Sequence, residues 1–502
     1  MGKSVGKIIA IGVAIFAPYA AAALGLSGFA ATLFSVGLQY ATQSIFGSGA
    51  AGKKSIQNNG MLVNKSSNTA SLPVIYGSRR VGGTRVYLQT TDNDGDKNNG
   101  TTYLHIVLAY AHGGSLADGS HNMDGPSATK IILNDKDAWT SGGGIDSHFS
   151  GVLDVALFRG PTDQTHSVGR EYNTFPSGNF DDRKSDEWTA DHKLQGVAYL
   201  YARLKFNRDK FPTAPTIFIE ANGQRVRDVD LMIADASNTA TENTLRTHSK
   251  HDNPANVLLD YLMNSTYGKG LAKDEIDLAT FSSAKSYFDT IGLTFKGAID
   301  TADTIYNNVQ TILASSNANL YYNKGKYAMS VNRVRTTSEK NAAFEFNTSN
   351  IIGGWTISLG SKKSRYNQMK VNYFNPENNW QPNSKIMKGI GGDDYLADDG
   401  NFVNEGTVEL EMVGDETMAQ KLAQYYLDQS RFTTIVQFKA AHTALELKVD
   451  DLVKVNHEVP GWTGGNIKYM TVQSLVFNQD TTVDVTLQEY PNSKEAIFIE
   501  NR

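Results

Sequence analysis

The chain has 502 residues, of which 40% are hydrophobic and 20% are charged, and its net charge at pH 7 is −5. That length allows about three or four domains of roughly 100–200 residues, and the composition is that of a folded protein. The acidic balance argues against a dedicated nucleic-acid-binding protein. Because the chain has no cysteine, disulfides, thiolate metal sites, iron–sulfur clusters and a cysteine nucleophile are excluded.

The N-terminal segment 1–50 is almost entirely uncharged, with no charged residue between Lys7 and Lys53. It contains two apolar blocks, 8–24 and 29–46, and each is close to the roughly 20 residues that a helix needs to cross a bilayer. The pattern predicts an apolar helical hairpin. Three interpretations are open: a secretory signal peptide, a membrane anchor, or a hairpin buried inside an assembly. The second block argues against the signal peptide.

The stretch GSGAAGKKS, residues 47–55, resembles a phosphate-binding loop. Two glycines and Lys53 fit the loop pattern, but Lys54 stands where the magnesium-binding hydroxyl belongs. The stretch also follows an apolar helical segment instead of a buried strand. A polar linker over 51–71 is therefore favoured over an ATP-binding site.

From residue 72 onward the pattern is mostly β, and residues 72–235 are predicted to form one or two β-rich domains. Alternation of apolar and polar residues predicts strands within 72–89, 102–113, 128–135, 196–207 and 215–226. The long polar segment 160–193 is expected to form a contact surface or a mobile tip. Tyr199, Tyr201 and Phe206 are expected to lie in half-buried sheet and not on a sugar-binding platform.

Residues 236–380 are predicted to form an α+β domain. Asn253 as a cap, with Pro254 at the first helical position, predicts a helix over 253–271 that stops at Gly268. The same kind of pattern predicts further helices at 280–292 and 301–316, a hairpin at 318–332 and a strand at 365–376.

Residues 381–502 are predicted to form a helix followed by a β-barrel domain. Asp415 is expected to cap the helix, and strands are predicted at 432–441, 451–456, 467–478 and 481–490. No alternating β-α-β pattern occurs. The predicted fold class is therefore α+β and multidomain, mostly antiparallel β barrels or sheets with short helices, plus the N-terminal apolar helical hairpin.

A search for chemistry yields no predicted enzyme activity, catalytic residue, cofactor or metal. His248 and His251 form a short pair, but no third ligand is evident, which favours a solvent-facing pair over a metal site. The aspartates of residues 92–96 imitate a calcium loop, yet lysine follows where that loop requires glycine. A polar turn is the favoured interpretation.

Several segments resemble the tail-tip hub proteins of long-tailed bacteriophages, of the lambda tip attachment protein J type. Residues 253–289 are similar to the family's helix, Tyr-Gly-x-Gly turn and second helix, and 308–333 are similar to its helix and hairpin. Residues 361–380 match the strand pattern R-x-N-x-x-x-V-x-x-x-x-P-x-N-x-W. Residues 432–455 resemble the last hub barrel, with Asp450–Asp451 in place of the usual Gly-Asp. The resemblance covers the hub portion only, about 72–500.

The resemblance implies a structural protein of the virion, located at the phage tail tip, that forms a homotrimeric ring. Such a ring closes the distal end of the tail tube and opens for DNA ejection. The implied partners are the distal tail protein, the tape-measure protein and other tail-tip proteins. DNA is expected to pass through the lumen without specific binding, since a neutral or acidic lining does not hold phosphates.

In a threefold ring, the apolar hairpins of three copies would meet at the axis and bury one another. They are expected to plug the lumen, to contact the tape-measure protein or to enter the host membrane. The residues predicted for this plug or membrane contact are Ile8, Ile9, Ile11, Val13, Ile15, Phe16, Leu24, Leu26, Phe29, Leu33, Phe34, Val36, Leu38, Ile45 and Phe46. The alternative function is a membrane-anchored or pore-forming secreted protein, and a nucleotide hydrolase based on 47–55 is a third hypothesis.

Overall fold

The structure is a computed structural model. It describes residues 64, 70–91, 102–114, 125–165, 170–176, 180–211, 213–359, 365–389, 395–492 and 498–501. The predicted N-terminal hairpin, the stretch 47–55 and the aspartates of 92–96 lie outside these ranges. None of the helices within the ranges combines the length and hydropathy of a membrane-spanning segment.

The first β unit is built from two five-stranded antiparallel sheets and one strand, β1, that belongs to neither. Its strands are β1 (Pro73–Tyr76), β2 (Ser78–Val81), β3 (Thr84–Thr91), β4 (Tyr103–His112), β5 (Ser127–Leu133), β6 (Lys136–Thr140), β7 (Gly144–Ile145), β8 (Leu153–Phe158), β9 (Arg170–Asn173), β10 (Val197–Lys205) and β11 (Ile217–Asn222). One sheet has the order β3-β4-β10-β8-β9 and the other β2-β11-β5-β6-β7. Alternate apolar residues of both sheets, among them Leu108, Ile131 and Leu200, form one shared core.

The outer face of the β3-to-β9 sheet is covered by the segment between β9 and β10, which includes the short helix α1 (Phe180–Arg183). Three aromatic residues of this segment, Phe175, Phe180 and Trp188, pack against two tyrosines of β10. These are Tyr199 and Tyr201. Both tyrosines are fully buried, so the prediction of half-buried sheet is wrong for them, because the segment adds a second layer. Phe206 lies just beyond β10 and is 65% exposed, so the prediction of half-buried sheet is wrong for it as well.

A helical region follows the first β unit. Its elements are β12 (Val226–Arg227), α2 (Val229–Ala234), β13 (Arg246–Thr247), α3 (Pro254–Met263), α4 (Leu278–Ile291), β14 (Gly297–Asp300), α5 (Ile305–Ser316), β15 (Ala318–Asn323) and β16 (Lys326–Val331). The Asn253 side chain accepts the Ala255 N–H at 3.0 Å, which confirms the predicted cap. Helix α3 ends at Met263, earlier than predicted, because Asn264 has an extended backbone.

Strand β1 connects the first β unit to the helical region. It pairs antiparallel with β14, and its side chains alternate between two cores. Val74 and Tyr76 belong to the large core of the helical region, whereas Ile75 belongs to the core of the first β unit. A single strand therefore contributes to both.

The rest of the described chain alternates strands with short helices. Its elements are α6 (Thr337–Ala342), β17 (Phe344–Phe346), β18 (Ile351–Ser358), β19 (Gln368–Asn375), β20 (Gln381–Met387), α7 (Tyr395–Asp398), β21 (Glu405–Leu410), α8 (Glu416–Gln429), β22 (Ile435–Ala440), β23 (Leu452–Val455), β24 (Lys468–Phe477) and β25 (Val483–Glu489). The order β20-β19-β21 forms a three-stranded sheet beneath α8. Asp415 accepts the Met418 N–H at 2.7 Å, so this predicted cap is also confirmed.

The last sheet has the order β17-β23-β24-β25-β22-β18. It curls into an open barrel. The curvature brings Phe346 of β17 against Phe438 of β22 across the interior, with ring centroids 4.8 Å apart. Strands β17 and β18 were not predicted, since a bulge at Gly353–Gly354 breaks the alternation of β18. The predicted α+β, mostly antiparallel class is confirmed, with parallel pairing of β17 to β23 and of β19 to β21. The domain boundaries stay predictions.

Candidate functional site

The residues predicted for the lumen plug all lie outside the part of the chain that the structure describes, so the plug stays a prediction. The histidine pair is described. The Nε2 atom of His251 lies 3.1 Å from the carbonyl oxygen of Gly77, and its ring centroid is 6.3 Å from that of His248. Within the described ranges no group of three His, Asp or Glu side chains is placed to hold a metal ion.

A buried carboxylate, Asp260 of α3, lies at the centre of a polar cluster. Its Oδ1 atom is 3.3 Å from Arg227 Nη1 and 3.2 Å from Arg246 Nη1. Its Oδ2 atom accepts hydrogen bonds from the hydroxyls of Tyr76 at 3.1 Å and Tyr267 at 3.0 Å. The cluster joins β1, the β12–β13 ribbon and α3, and the Asp260 side chain is completely inaccessible to solvent.

The charges of this cluster are balanced. Glu242 lies 2.9 Å from Arg227 and 3.5 Å from Arg246, so two carboxylates face two guanidinium groups. Burial, followed by the negative charge of Asp260, raises the pKa of Tyr267. Both tyrosines of the cluster are therefore hydrogen-bond donors to the carboxylate at neutral pH. This arrangement stabilises the junction of β1, the β12–β13 ribbon and α3.

The Tyr-Gly-x-Gly turn owes its sequence to this cluster. Tyr267 reaches back to Asp260, and a Cβ atom at Gly268 would lie 1.7 Å from the carbonyl oxygen of Tyr261. Gly270 has a positive φ of 73°. Only glycine fits the first position sterically, and glycine is strongly preferred at the second.

The segment 365–380 uses its pattern residues to join neighbouring strands. The Asn367 side chain donates to the carbonyl oxygen of Phe402 at 2.8 Å and accepts the Asn404 N–H at 2.9 Å. These bonds fix the approach of β19 to β21. Trp380, the last residue of the pattern, is buried and packs with Phe374.

Two arginines of β2 reach from the first β unit to this segment. We call the contact the barrel–sheet seam, where the barrel is the first β unit and the sheet is β20-β19-β21. Its residues are Arg79, Arg80, Phe374, Asn379 and Trp380. The guanidinium carbon of Arg79 lies 3.5 Å from the ring centroid of Phe374 and 5.4 Å from that of Trp380. Arg80 donates through Nη1 to the carbonyl oxygen of Asn379 at 3.2 Å. Cation–π contacts of this kind are strongest where water is excluded.

The charge at the seam is poorly compensated. Arg79 is 3% exposed, and its Nε and Nη1 atoms have no hydrogen-bond partner among the described residues. Burial lowers the pKa of Arg79 to about 9, and the negative charge of Glu411 offsets only part of that effect. Arginine retains its proton at neutral pH, so a buried cation remains at the seam.

Asp450 explains the departure from the Gly-Asp pattern. Its φ is 73°, which is a conformation that glycine adopts freely and aspartate tolerates. The Asp450 carboxylate lies 2.6 Å from Arg335 Nη2. Aspartate at this position therefore adds an ion pair between the segment that follows β16 and the last barrel.

The first sheet ends in an exposed edge strand, β3. Val86 and Leu88 are 46% and 48% exposed, whereas Tyr87 between them packs under the segment that covers the outer face and donates to Ser185 at 2.7 Å. Within the described ranges β3 pairs only with β4, and at the opposite edge β9 pairs only with β8. A sheet with open edges and apolar side chains beside one of them is suited to assembly.

Comparison with known proteins agrees with this architecture. Residues 304–468 match the family model described as "Putative phage tail protein". The chain is 19% identical over 486 residues to the baseplate hub protein pb3 of Escherichia phage T5, covering 85% of this chain and 48% of that protein. The chain thus spans about half the length of this relative.

A solved structure shares the fold. A chain from the virion of the native gene transfer agent particle superposes with a TM-score of 0.59 at 13% identity, covering 93% of this chain and 97% of that one. Both sequence matches are to phage tail proteins. They confirm the resemblance to tail-tip hub proteins and the predicted location in the phage tail.

Sequence reasoning missed both the seam and the exposed edge. Arg79 and Trp380 are 301 positions apart, and no local pattern connects them. The alternation of β3 indicates a strand, but whether that strand lies at an edge depends on which strands pair. The pattern R-x-N…W was the available signal for the seam.

Proposed function

We propose that the chain is the tail-tip hub of a phage virion and assembles as a homotrimeric ring that closes the distal tail tube and opens for DNA ejection. The observation that supports assembly is the edge strand β3 with Val86 and Leu88 exposed beside it. A cyclic trimer uses head-to-tail contacts, so each copy needs two different surfaces. The β3 and β9 edges of one sheet provide such a pair.

The test is the mass of the purified full-length protein by light scattering and native mass spectrometry. We expect three times the 54.8 kDa of one chain. The double variant Val86→Lys/Leu88→Lys should shift the protein to a monomer, because two charges would then be buried at the contact. Val459→Lys is the matched control, since Val459 is 79% exposed in the last barrel. A monomeric wild type, or an edge variant that stays trimeric, would refute the proposal.

Within this ring we propose that the N-terminal hairpins plug the lumen or contact the tape-measure protein or the host membrane. The support is the uncharged segment between Lys7 and Lys53, because three apolar hairpins on one axis can bury one another. Deletion of residues 1–50 should give particles that leak DNA or fail to assemble. Tight, fully infectious particles would contradict the plug.

A further inference from the structure

The barrel–sheet seam combines two unfavourable features at one contact. The first is the buried Arg79, whose Nε and Nη1 atoms lack hydrogen-bond partners among the described residues. Each buried donor left without a partner is costly, and a charged one more so. The seam therefore holds a cation that would gain hydration on leaving it.

The second feature is backbone strain in the same contact. Asn379 and Trp380 have φ values of 51° and 58°, two consecutive left-handed residues without a glycine. Asparagine tolerates this conformation, but a bulky aromatic residue rarely adopts it. Such outliers persist only where surrounding contacts enforce them, and they concentrate at switch regions.

Two arginines of β2 contact this turn, which is also held within the β19–β20 hairpin by the Trp380 N–H bond to the Asn375 carbonyl oxygen. Arg79 stacks on Phe374 at 3.5 Å, and Arg80 binds the Asn379 carbonyl oxygen at 3.2 Å. The pairing of β1 with β14 is separate from these contacts. The seam can thus release while the first β unit stays attached through β1.

We infer that the barrel–sheet seam is a latch: Arg80 holds the strained turn closed, the buried charge of Arg79 opposes closure, and release frees the first β unit from the β20-β19-β21 sheet. Release hydrates Arg79, so the latch opens at lower cost than an ordinary apolar interface. To the proposed hub function this adds the contact at which the first β unit separates from the rest of the subunit. It concerns the single chain and does not depend on the trimer.

The experiment is hydrogen exchange of the purified full-length protein, followed at residues 374–380, where the Trp380 N–H bonds to the Asn375 carbonyl oxygen at 2.9 Å. Arg79→Met retains the apolar length of the side chain and removes the charge. If the seam stores an unfavourable charge, exchange in this segment slows by about tenfold. Asn379→Gly relieves strain without removing the carbonyl that Arg80 binds, and should slow exchange by about threefold.

The matched control is Asn401→Gly, which relieves the same kind of backbone conformation, φ 62°, in a turn outside the seam. It should leave exchange at 374–380 unchanged. Faster or unchanged exchange in Arg79→Met would show an ordinary stabilising contact and overturn the latch. If Arg79→Met does not fold, Asn379→Gly decides, since glycine fits that conformation. A failed trimer prediction would appear in the mass measurement and leave this result intact.

Discussion

The Asp260 cluster leads to a quantitative prediction for Asp260→Asn. The substitution conserves shape but removes the charge that faces Arg227 and Arg246 at 3.3 and 3.2 Å. It also places an amide donor among groups that all donate. Breaking a buried ion pair from one side costs about 3–5 kcal/mol. Since 1.36 kcal/mol corresponds to a tenfold change, the opening equilibrium of α3 should shift by about two to four orders of magnitude.

The assay is amide hydrogen exchange of α3 in the wild type and the variant at neutral pH. Asp230→Asn is the matched control. Asp230 pairs with Lys285 at 2.6 Å, but its side chain is 49% exposed, and such pairs contribute at most about 1 kcal/mol. The control should change exchange by less than about tenfold. If Asp260→Asn also stays within that limit, the cluster does not balance buried charge, and the reasoning is refuted.

Two further predictions concern the turn after α3 and a buried histidine. Gly268→Ala should destabilise the protein by about 3 kcal/mol or more, because its Cβ would lie 1.7 Å from the Tyr261 carbonyl oxygen; Gly142→Ala, with open space around the new atom, should be nearly neutral in denaturant unfolding. Burial, and then the charge of Arg203, lowers the pKa of His105 to about 4. In the unfolded chain this histidine has a pKa near 6.5, so between pH 6.5 and 4 the unfolded state binds a proton that the native state does not. The contribution of neutral His105 to the free energy of unfolding is therefore complete above about pH 6.5 and is lost as the pH falls toward 4. It amounts to about 3 kcal/mol. In His105→Gln the midpoint temperature of thermal unfolding should depend less on pH between 4 and 6.5. An unchanged pH dependence would contradict the assignment.

Local signals in the sequence predicted the helix starts well. The caps at Asn253 and Asp415 rest on side chains that bond to backbone within three residues, so neighbouring residues contain all the information. The ends were less predictable. Helix α3 stops at Met263 because the chain must turn to bring Tyr267 under Asp260, and that requirement is tertiary.

Burial and pairing over long distances could not be predicted in the same way. Tyr199 and Tyr201 alternate like residues of a half-buried strand, and only the layer formed by Phe180 and Trp188 buries them. The exposure of Val86 depends on where the sheet ends. The seam depends on Arg79 meeting a turn far along the chain, and its two unfavourable features are visible only in the folded molecule.

The large core of the helical region contains both Val74 of β1 and Ile499 near the last described residue. During synthesis on the ribosome, this core therefore lacks its final apolar contacts until the last of these residues has emerged. The first β unit, whose core spans residues 75–221, can close much earlier. A nascent chain stalled before Phe498 should thus carry one finished β unit tethered to an unfinished partner, which is the state that chaperones would meet.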